Sequence, residues 1–284
     1  MVPVRKWLIQ TESVIGPSHT IQSLPNQDAI FGIPGTNTVV AMADGHGSPK
    51  CFRSSTGAQE AVGIALQLMN ELLDQYRTED DLRNLENSLI RQLRQRMVSQ
   101  WGEKIAHHLE QNPFTEQEWQ SLVEQENSAA RESVEKNPRI AYGSTILAAG
   151  VSENIAVFFQ LGDGDILLVN NDNEIRRPLP SDPSLIGNLT TSLSTENATN
   201  CFRTSYRLHD ADRVKLILLA TDGYSNSFRS DDGFLQAARD FAALVSTREG
   251  EVEVQNSLKV WLQESAEQSG DDVSVGLIYP APEG

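Results

Sequence analysis

The sequence predicts an α+β protein of antiparallel strands with a long helical region set between them. Three observations carry that expectation. The first is a set of short apolar runs that meet acidic residues at their ends. Val39–Ala43 leads into Asp44-Gly45-His46-Gly47, Leu216–Ala220 leads through Thr221 into Asp222-Gly223, and Gly270-Asp271-Asp272 stands just before Val273–Tyr279. The second is direction: if the last strand runs antiparallel to the first two, its beginning lies at the sheet edge where they end, and three carboxylates converge. The third is a change of period, because between residues 56 and 137 apolar residues recur every three or four positions, as on helices.

Taken in order, a strand is expected near Trp7–Thr11, then a turn at Gly16-Pro17-Ser18-His19. Pro25-Asn26-Gln27-Asp28 leads into a strand at Ala29-Ile30-Phe31, and the segment from Ile33 to Thr38 is the loop to the Val39 run. Ala58, Ala61, Val62, Ala65, Leu66, Met69, Leu72 and Leu73 mark one face of a helix capped by Ser55 or Thr56. A longer helix opened by Thr78, with Asp81 three residues on, carries Leu82, Leu85, Leu89, Leu93, Met97, Trp101 and Ile105, with His107 and His108 at its solvated end. Thr115-Glu116-Gln117-Glu118 is a capping box for a polar third helix that fades before Pro138. Strands follow at 142–150 and 155–161. Gly162-Asp163-Gly164-Asp165 then forms the tip of a hairpin whose second strand is Ile166–Val169. The stretch from Pro178 to Arg207 reads as a long surface loop, and helices at Phe234–Val245 and Val252–Leu262 precede the final strand. No repeat or linker interrupts the chain. One domain over residues 1–284, with a helical region at about 56–137, is the simplest account.

The apolar content of 39% is ample for a core, and the net charge of −16 argues against a nucleic-acid partner. An anionic substrate would need that field reversed locally, which bound divalent ions do. The two cysteines, Cys51 and Cys201, have no CxxC or His/Cys spacing suited to zinc and read as buried thiols. No signal peptide and no run of membrane-spanning length is present, so the expectation is a soluble, cytoplasmic protein.

Each Asp-Gly pair taken alone is as readily a turn as a ligand. Three at the ends of strongly apolar strands point to a metal site, because crowded carboxylates repel unless a proton or cation lies between them. Gly45 and Gly47 let the backbone turn sharply and leave the Gly45 carbonyl bare enough to face an ion. Oxygen-only donors suit Mg2+ or Mn2+ better than zinc. Asp28, beside another apolar strand, is by itself a turn or capping residue. An EF-hand at Asp163 is excluded, since the remaining ligand positions and the closing Glu are missing.

The ordered set Asn26-Gln27-Asp28-Ala29, Asp44-Gly45-His46-Gly47, Gly143-Ser144-Thr145, Gly162-Asp163-Gly164, Ala220-Thr221-Asp222-Gly223 and Gly270-Asp271-Asp272-Val273-Ser274-Val275 resembles the metal-dependent protein phosphatases, the PPM or type 2C family, in their bacterial branch. The resemblance implies a four-layer αββα sandwich, with two central antiparallel sheets flanked by helices and a dimetal centre at one end. It implies Mg2+ or Mn2+ as cofactor, with two core ions and a third, weaker one. By position, Asp44 would bridge the core pair, the Gly45 carbonyl would bind one ion, and Asp222 and Asp271 would complete the set. Asp163 with Asp222 would serve the third ion, Asp28 would hold water from behind, and His46 would be the proton donor. The implied activity is hydrolysis of phosphoserine and phosphothreonine by water held between two ions. The implied partners are phosphorylated proteins, including a cognate kinase or its substrates.

The chain departs from that pattern where the family grips phosphate. The arginine expected three residues before Asn26-Gln27-Asp28 is Ser23, the usual Gly-Asp-Ser-Arg is Gly-Asp-Gly-Asp, and the usual Asp-Asn is Asp271-Asp272. His19 is the favoured replacement and Arg53 the second candidate, although His19 could equally close a turn and Arg53 be solvated. The missing arginine suggests an alternative, a phosphatase-fold module that binds phosphoprotein with little turnover. Retention of the four Asp ligands argues against it. A metallohydrolase for phosphodiesters or small phosphate esters is a third reading.

Overall fold

The computed structural model describes residues 6–76, 89–153, 155–180, 182, 190–208 and 214–282. Ten strands are described: β1 (Trp7–Val14), β2 (Ala29–Ile33), β3 (Thr38–Ala43), β4 (Ile146–Val151), β5 (Ile155–Leu161), β6 (Asp165–Asn170), β7 (Ile175–Arg176), β8 (Arg203–Leu208), β9 (Val214–Ala220) and β10 (Val273–Pro280). They form two five-stranded sheets, ordered β1-β10-β9-β6-β7 and β2-β3-β4-β5-β8, and the strand pairs are antiparallel.

Alternation along the strands builds the layers. In β3, Val39, Ala41 and Ala43 pack outward against α2 (Ser54–Gln75) and α3 (Leu89–Gln111), while Val40 and Met42 pack inward between the sheets. In β9, Leu216, Leu218 and Ala220 meet α8 (Asp231–Leu244) and α9 (Arg248–Ser269), while Ile217 and Leu219 fill the space between the sheets. Two covered faces explain why Val39–Ala43 and Leu216–Ala220 are apolar at every position rather than at every second one. The result is the four-layer αββα sandwich, with α4 (Glu116–Gln125) and α5 (Ser128–Lys136) completing the helical layer on the β3 side.

Several expectations need correction. The segments at 155–161 and 166–169 are not a hairpin: β5 pairs with β4 and β8, while β6 pairs with β9 and β7, so Gly162-Asp163-Gly164 carries the chain from one sheet to the other. Gly162 makes that crossing possible at φ 112°, a conformation that costs an L side chain dearly. The supposed turn at Gly16–His19 is the start of a short helix, α1 (Pro17–Gln22), with Pro17 at its first position, where a missing N–H costs nothing. The loop from Pro178 to Arg207 contains α6 (Ala198–Cys201) and runs into the edge strand β8, whose polar RTSYRL sequence hides its pairing with β5. The polar third helix is two, because Asn127 accepts from Ala130 N at 3.0 Å and caps a new start. Helix α2 begins one residue before its expected caps, at Ser54, and has no side-chain cap. Helix α9 extends beyond 252–262 at both ends, from the Thr247 cap to Gly270 at φ 82°, with Val254, Leu258, Leu262 and Ala266 buried along it. The Thr78 cap with Asp81, Leu82 and Leu85, and the side chain of Leu89, lie outside the described residues.

Candidate active site

At one end of the sandwich a cavity of about 950 Å³ is lined by Asp44, Gly45, His46, Asp163, Asp222 and Asp271, with His19, Gln27, Thr190 and Ser192 also on its wall. The two sheets supply the acids from opposite sides. Asp44 follows β3 and Asp163 follows β5, whereas Asp222 opens the short helix α7 (Asp222–Ser225) after β9 and Asp271 precedes β10. The expected antiparallel meeting of β9 and β10 is observed, with Ala220 opposite Val275.

The backbone around Asp44 is fixed by neighbouring loops. Asp44 N–H donates to the Thr145 hydroxyl at 2.9 Å, Thr145 N–H donates back to the Asp44 carbonyl at 2.8 Å, and His46 N–H donates to the Gly143 carbonyl at 3.1 Å. Gly45 N–H donates to the Gln27 carbonyl at 3.1 Å, and a Cβ at position 45 would stand 2.7 Å from that same oxygen. Glycine is therefore required at 45 by close approach. The 190–195 segment docks onto this wall through Leu193 N–H to the Ser144 carbonyl at 2.9 Å.

The electrostatics are those of crowded acids. Asp44 keeps some solvent contact at the cavity floor, yet crowding by protein pushes its pKa well up, and the charges of Asp28 and Asp222 push it further. Asp44 and Asp222 are near enough for each to act on the other's ionisation. Burial also raises Asp222, and the Asp163 charge adds to it. Asp28 does not line the cavity. It lies 8% exposed behind it, accepting from the Thr221 hydroxyl at 2.8 Å, and burial raises its pKa to about 8 against the hydrogen bonds from Ser274 and Thr221. His46 is pushed down by burial, with the Asp163 charge opposing.

Such a set fits a hard divalent cation. The donors are carboxylate and carbonyl oxygens, and the burial and mutual repulsion that raise Asp44 and Asp222 are what a cation would offset. Among the described residues, no three Asp, Glu, His or Cys side chains already stand close enough to form a ligand shell unaided. A cation held here would draw the rest of its coordination from water, as Mg2+ tolerates.

Of the two candidates for the missing cation, His19 is on the cavity wall and Arg53 is not. Arg53 is also not solvated. Its Nε and Nη2 donate to both Glu118 oxygens at 2.6 and 2.9 Å, Nη1 donates to the Tyr142 hydroxyl at 2.9 Å and the Asn112 carbonyl at 2.6 Å, and Nη2 reaches the Pro113 carbonyl at 3.1 Å. The guanidinium has no donor left for a phosphate. Ser23, where the arginine is expected, is the left-handed cap of α1 at φ 56°.

Two residues of consequence escaped the sequence reasoning. Arg203 on β8 donates to the Gly162 carbonyl at 2.6 Å and so braces the crossing that presents Asp163. Asp272 is 3% exposed and accepts from Gly16 N–H at 2.7 Å and Gln27 N–H at 2.6 Å. A signal for Asp272 existed: successive residues entering a strand point to opposite sides, so two adjacent acids cannot both face one site.

The family model described as Protein phosphatase 2C matches residues 15–263. Among solved structures, the catalytic domain of the serine/threonine protein phosphatase PstP in complex with two manganese ions is 15% identical, with a TM-score of 0.58, over 97% of this chain and 99% of that one. PppA, a regulatory component of the type VI secretion system of Pseudomonas aeruginosa, is 13% identical with a TM-score of 0.58, over 98% and 99%. The S. agalactiae serine/threonine phosphatase is 18% identical with a TM-score of 0.54, over 96% and 99%. No curated protein matches the chain.

Proposed function

Since the chain belongs to the protein phosphatase 2C family, we propose that it is a metal-dependent phosphatase of phosphoserine and phosphothreonine in proteins, working as one domain in the cytoplasm. The observation that carries this reading is the convergence of Asp44, Asp163, Asp222 and Asp271 on one cavity from both sheets. The neighbour PstP, which holds two manganese ions, supports the choice of Mg2+ or Mn2+. Among the described residues, no helix is long and apolar enough to cross a membrane.

Asp44, the Gly45 carbonyl, Asp222 and Asp271 would hold two ions, and Asp163 with Asp222 a third. When bound, the ions supply positive field for the phosphoryl group and lower the pKa of a coordinated water. The remaining work falls to side chains. Asp28, behind the cavity and hydrogen-bonded by Thr221, orients water at the Asp44 side. His19, on the wall, takes a phosphoryl oxygen in place of the absent arginine. His46 donates the proton to the departing seryl or threonyl oxygen. A lowered pKa makes its imidazolium a stronger acid and confines the protonated ring to the acid side of neutrality.

A second reading, a phosphoprotein-binding module with little turnover, is favoured by Ser23 capping α1 where the arginine is expected. A substrate panel decides. Phosphothreonine peptide, aryl phosphate and a bis-aryl phosphodiester are each incubated with and without Mn2+. Metal-dependent release of phosphate from the peptide supports the phosphatase. Binding of the peptide without release supports the module, and preferential cleavage of the diester refutes both.

A further inference from the structure

We infer that Asp272 is a positioning residue for His19: the buried carboxylate fixes the imidazole tautomer and turns Nε2 into the cavity, forming a carboxylate–histidine pair dedicated to the phosphoryl group. This rests on the phosphatase reading above and extends it to a residue outside the presumed ligand set.

The geometry begins with the doubled acid at the start of β10. Asp271 lines the cavity, and its carboxylate accepts from Asp272 N–H at 2.8 Å. Asp272 points the other way and is 3% exposed. Its Oδ1 takes Gly16 N–H at 2.7 Å, and its Oδ2 takes Gln27 N–H at 2.6 Å and faces His19 Nδ1 at 2.9 Å. That last contact lies off the ring N–H axis, so it is a close approach of carboxylate to ring nitrogen rather than an ideal hydrogen bond. His19 is 9% exposed, and its Nε2 faces Gly47 in company with Gln27 Oε1, a buried oxygen with no hydrogen-bond partner.

An ionised carboxylate only accepts, so it places a proton on Nδ1 and leaves Nε2 as the atom presented to the cavity. A phosphate monoester that arrives carrying one proton donates its P–O–H hydrogen to Nε2. An arginine would offer the same oxygen a fixed cation. The pair is thus a compact substitute delivered by α1, whose start is pinned to the Gly270–Asp272 turn by Ser18 N–H to the Gly270 carbonyl at 3.2 Å.

The first test needs no metal and no turnover. Long-range 15N NMR of the wild-type protein at pH 8 reads the His19 tautomer, assigned by its loss in His19→Asn. Hydrogen on Nδ1 is expected, and hydrogen on Nε2 overturns the inference whatever the enzyme does. The second test is a kinetic cycle on an aryl phosphate with Mn2+. His19→Asn keeps a donor toward Asp272 and removes Nε2, so KM should rise about 10-fold with thermal stability nearly unchanged. Asp272→Asn should raise KM by roughly 5-fold or more, and the double variant should match the worse single one because both act through one contact. Multiplying KM effects in the double variant, or a wild-type KM in His19→Asn, refutes the pair. If no variant nor the wild type turns over, the phosphatase reading fails while the NMR result still stands.

Discussion

Replacing Arg53 by Met tests whether one side chain ties the helical layer to the loops that form the cavity. Arg53 joins Glu118 of α4 and the Asn112–Pro113 turn to Tyr142, just before the Gly143–Thr145 segment that holds Asp44 and His46. Methionine keeps much of the apolar stem and removes every donor. The two bonds to Glu118, whose side chain is 24% exposed, contribute about 1–2 kcal/mol together. The Tyr142 hydroxyl loses a partner worth about 1 kcal/mol. The guanidinium over the Phe114 ring, 4.7 Å from its centroid, adds about 0.5 kcal/mol. The exposed Asn112 and Pro113 carbonyls rehydrate. The expected loss is about 3 kcal/mol, or a fall in Tm of roughly 5 °C. It also carries a pH signature. Burial pushes Glu118 up, but the bonds from Arg53 and Thr115 outweigh it and hold the carboxyl below the ordinary glutamate range. That stability is present above the unfolded-chain value and lost as pH falls through the lowered folded one. Urea denaturation followed by tryptophan fluorescence should show the gap between wild type and variant narrowing from pH 7 toward pH 3. A gap below about 1 kcal/mol at pH 7, or one that widens on acidification, would refute the reasoning.

Three further outcomes are expected. Asp163→Ala should leave the tightly bound metals in place yet depress activity, most of all on phosphopeptides; loss of all metal binding in calorimetry would place Asp163 in the core pair instead. His46→Ala should slow phosphothreonine peptide, with its basic leaving group, by roughly 100-fold while sparing an aryl phosphate whose phenolate needs no proton; equal loss on both would remove His46 from the acid role. Cys51, with its thiol pushed up to about 11 by burial, should resist a thiol reagent at pH 8, where about one molecule in a thousand is thiolate. The half-buried Cys201 should react first, and mass spectrometry showing Cys51 modified first in the native protein would contradict the buried geometry.

The two-layer core was legible because Val39–Ala43 of β3 and Leu216–Ala220 of β9 are apolar at every position, a pattern produced when both faces of a strand are covered. The same feature concealed the β5–β6 crossing. With no polar face to mark which side packs where, strands separated by Gly162-Asp163-Gly164 look alike whether they pair or part. Strand β8 escaped because its pattern is set by an edge position and a single neighbour, β5. In the candidate site, the acids at strand ends were visible from local sequence. The contacts of Asp272, Arg53 and Arg203 were not, because their partners lie far along the chain: Asp272 binds Gly16 and Gln27, Arg53 binds Glu118, and Arg203 binds Gly162.

The central claim is that Asp44 gathers the charge on which catalysis depends. Phosphate release from a phosphothreonine peptide by wild type and by Asp44→Asn, each with Mn2+ and after chelation, tests it most directly once thermal melts show both proteins folded. Wild type should release phosphate with Mn2+ and stop on chelation, and the variant should show no detectable release under either condition. A folded variant keeping more than about a tenth of wild-type activity, a barrier change of only about 1.4 kcal/mol, would contradict the account.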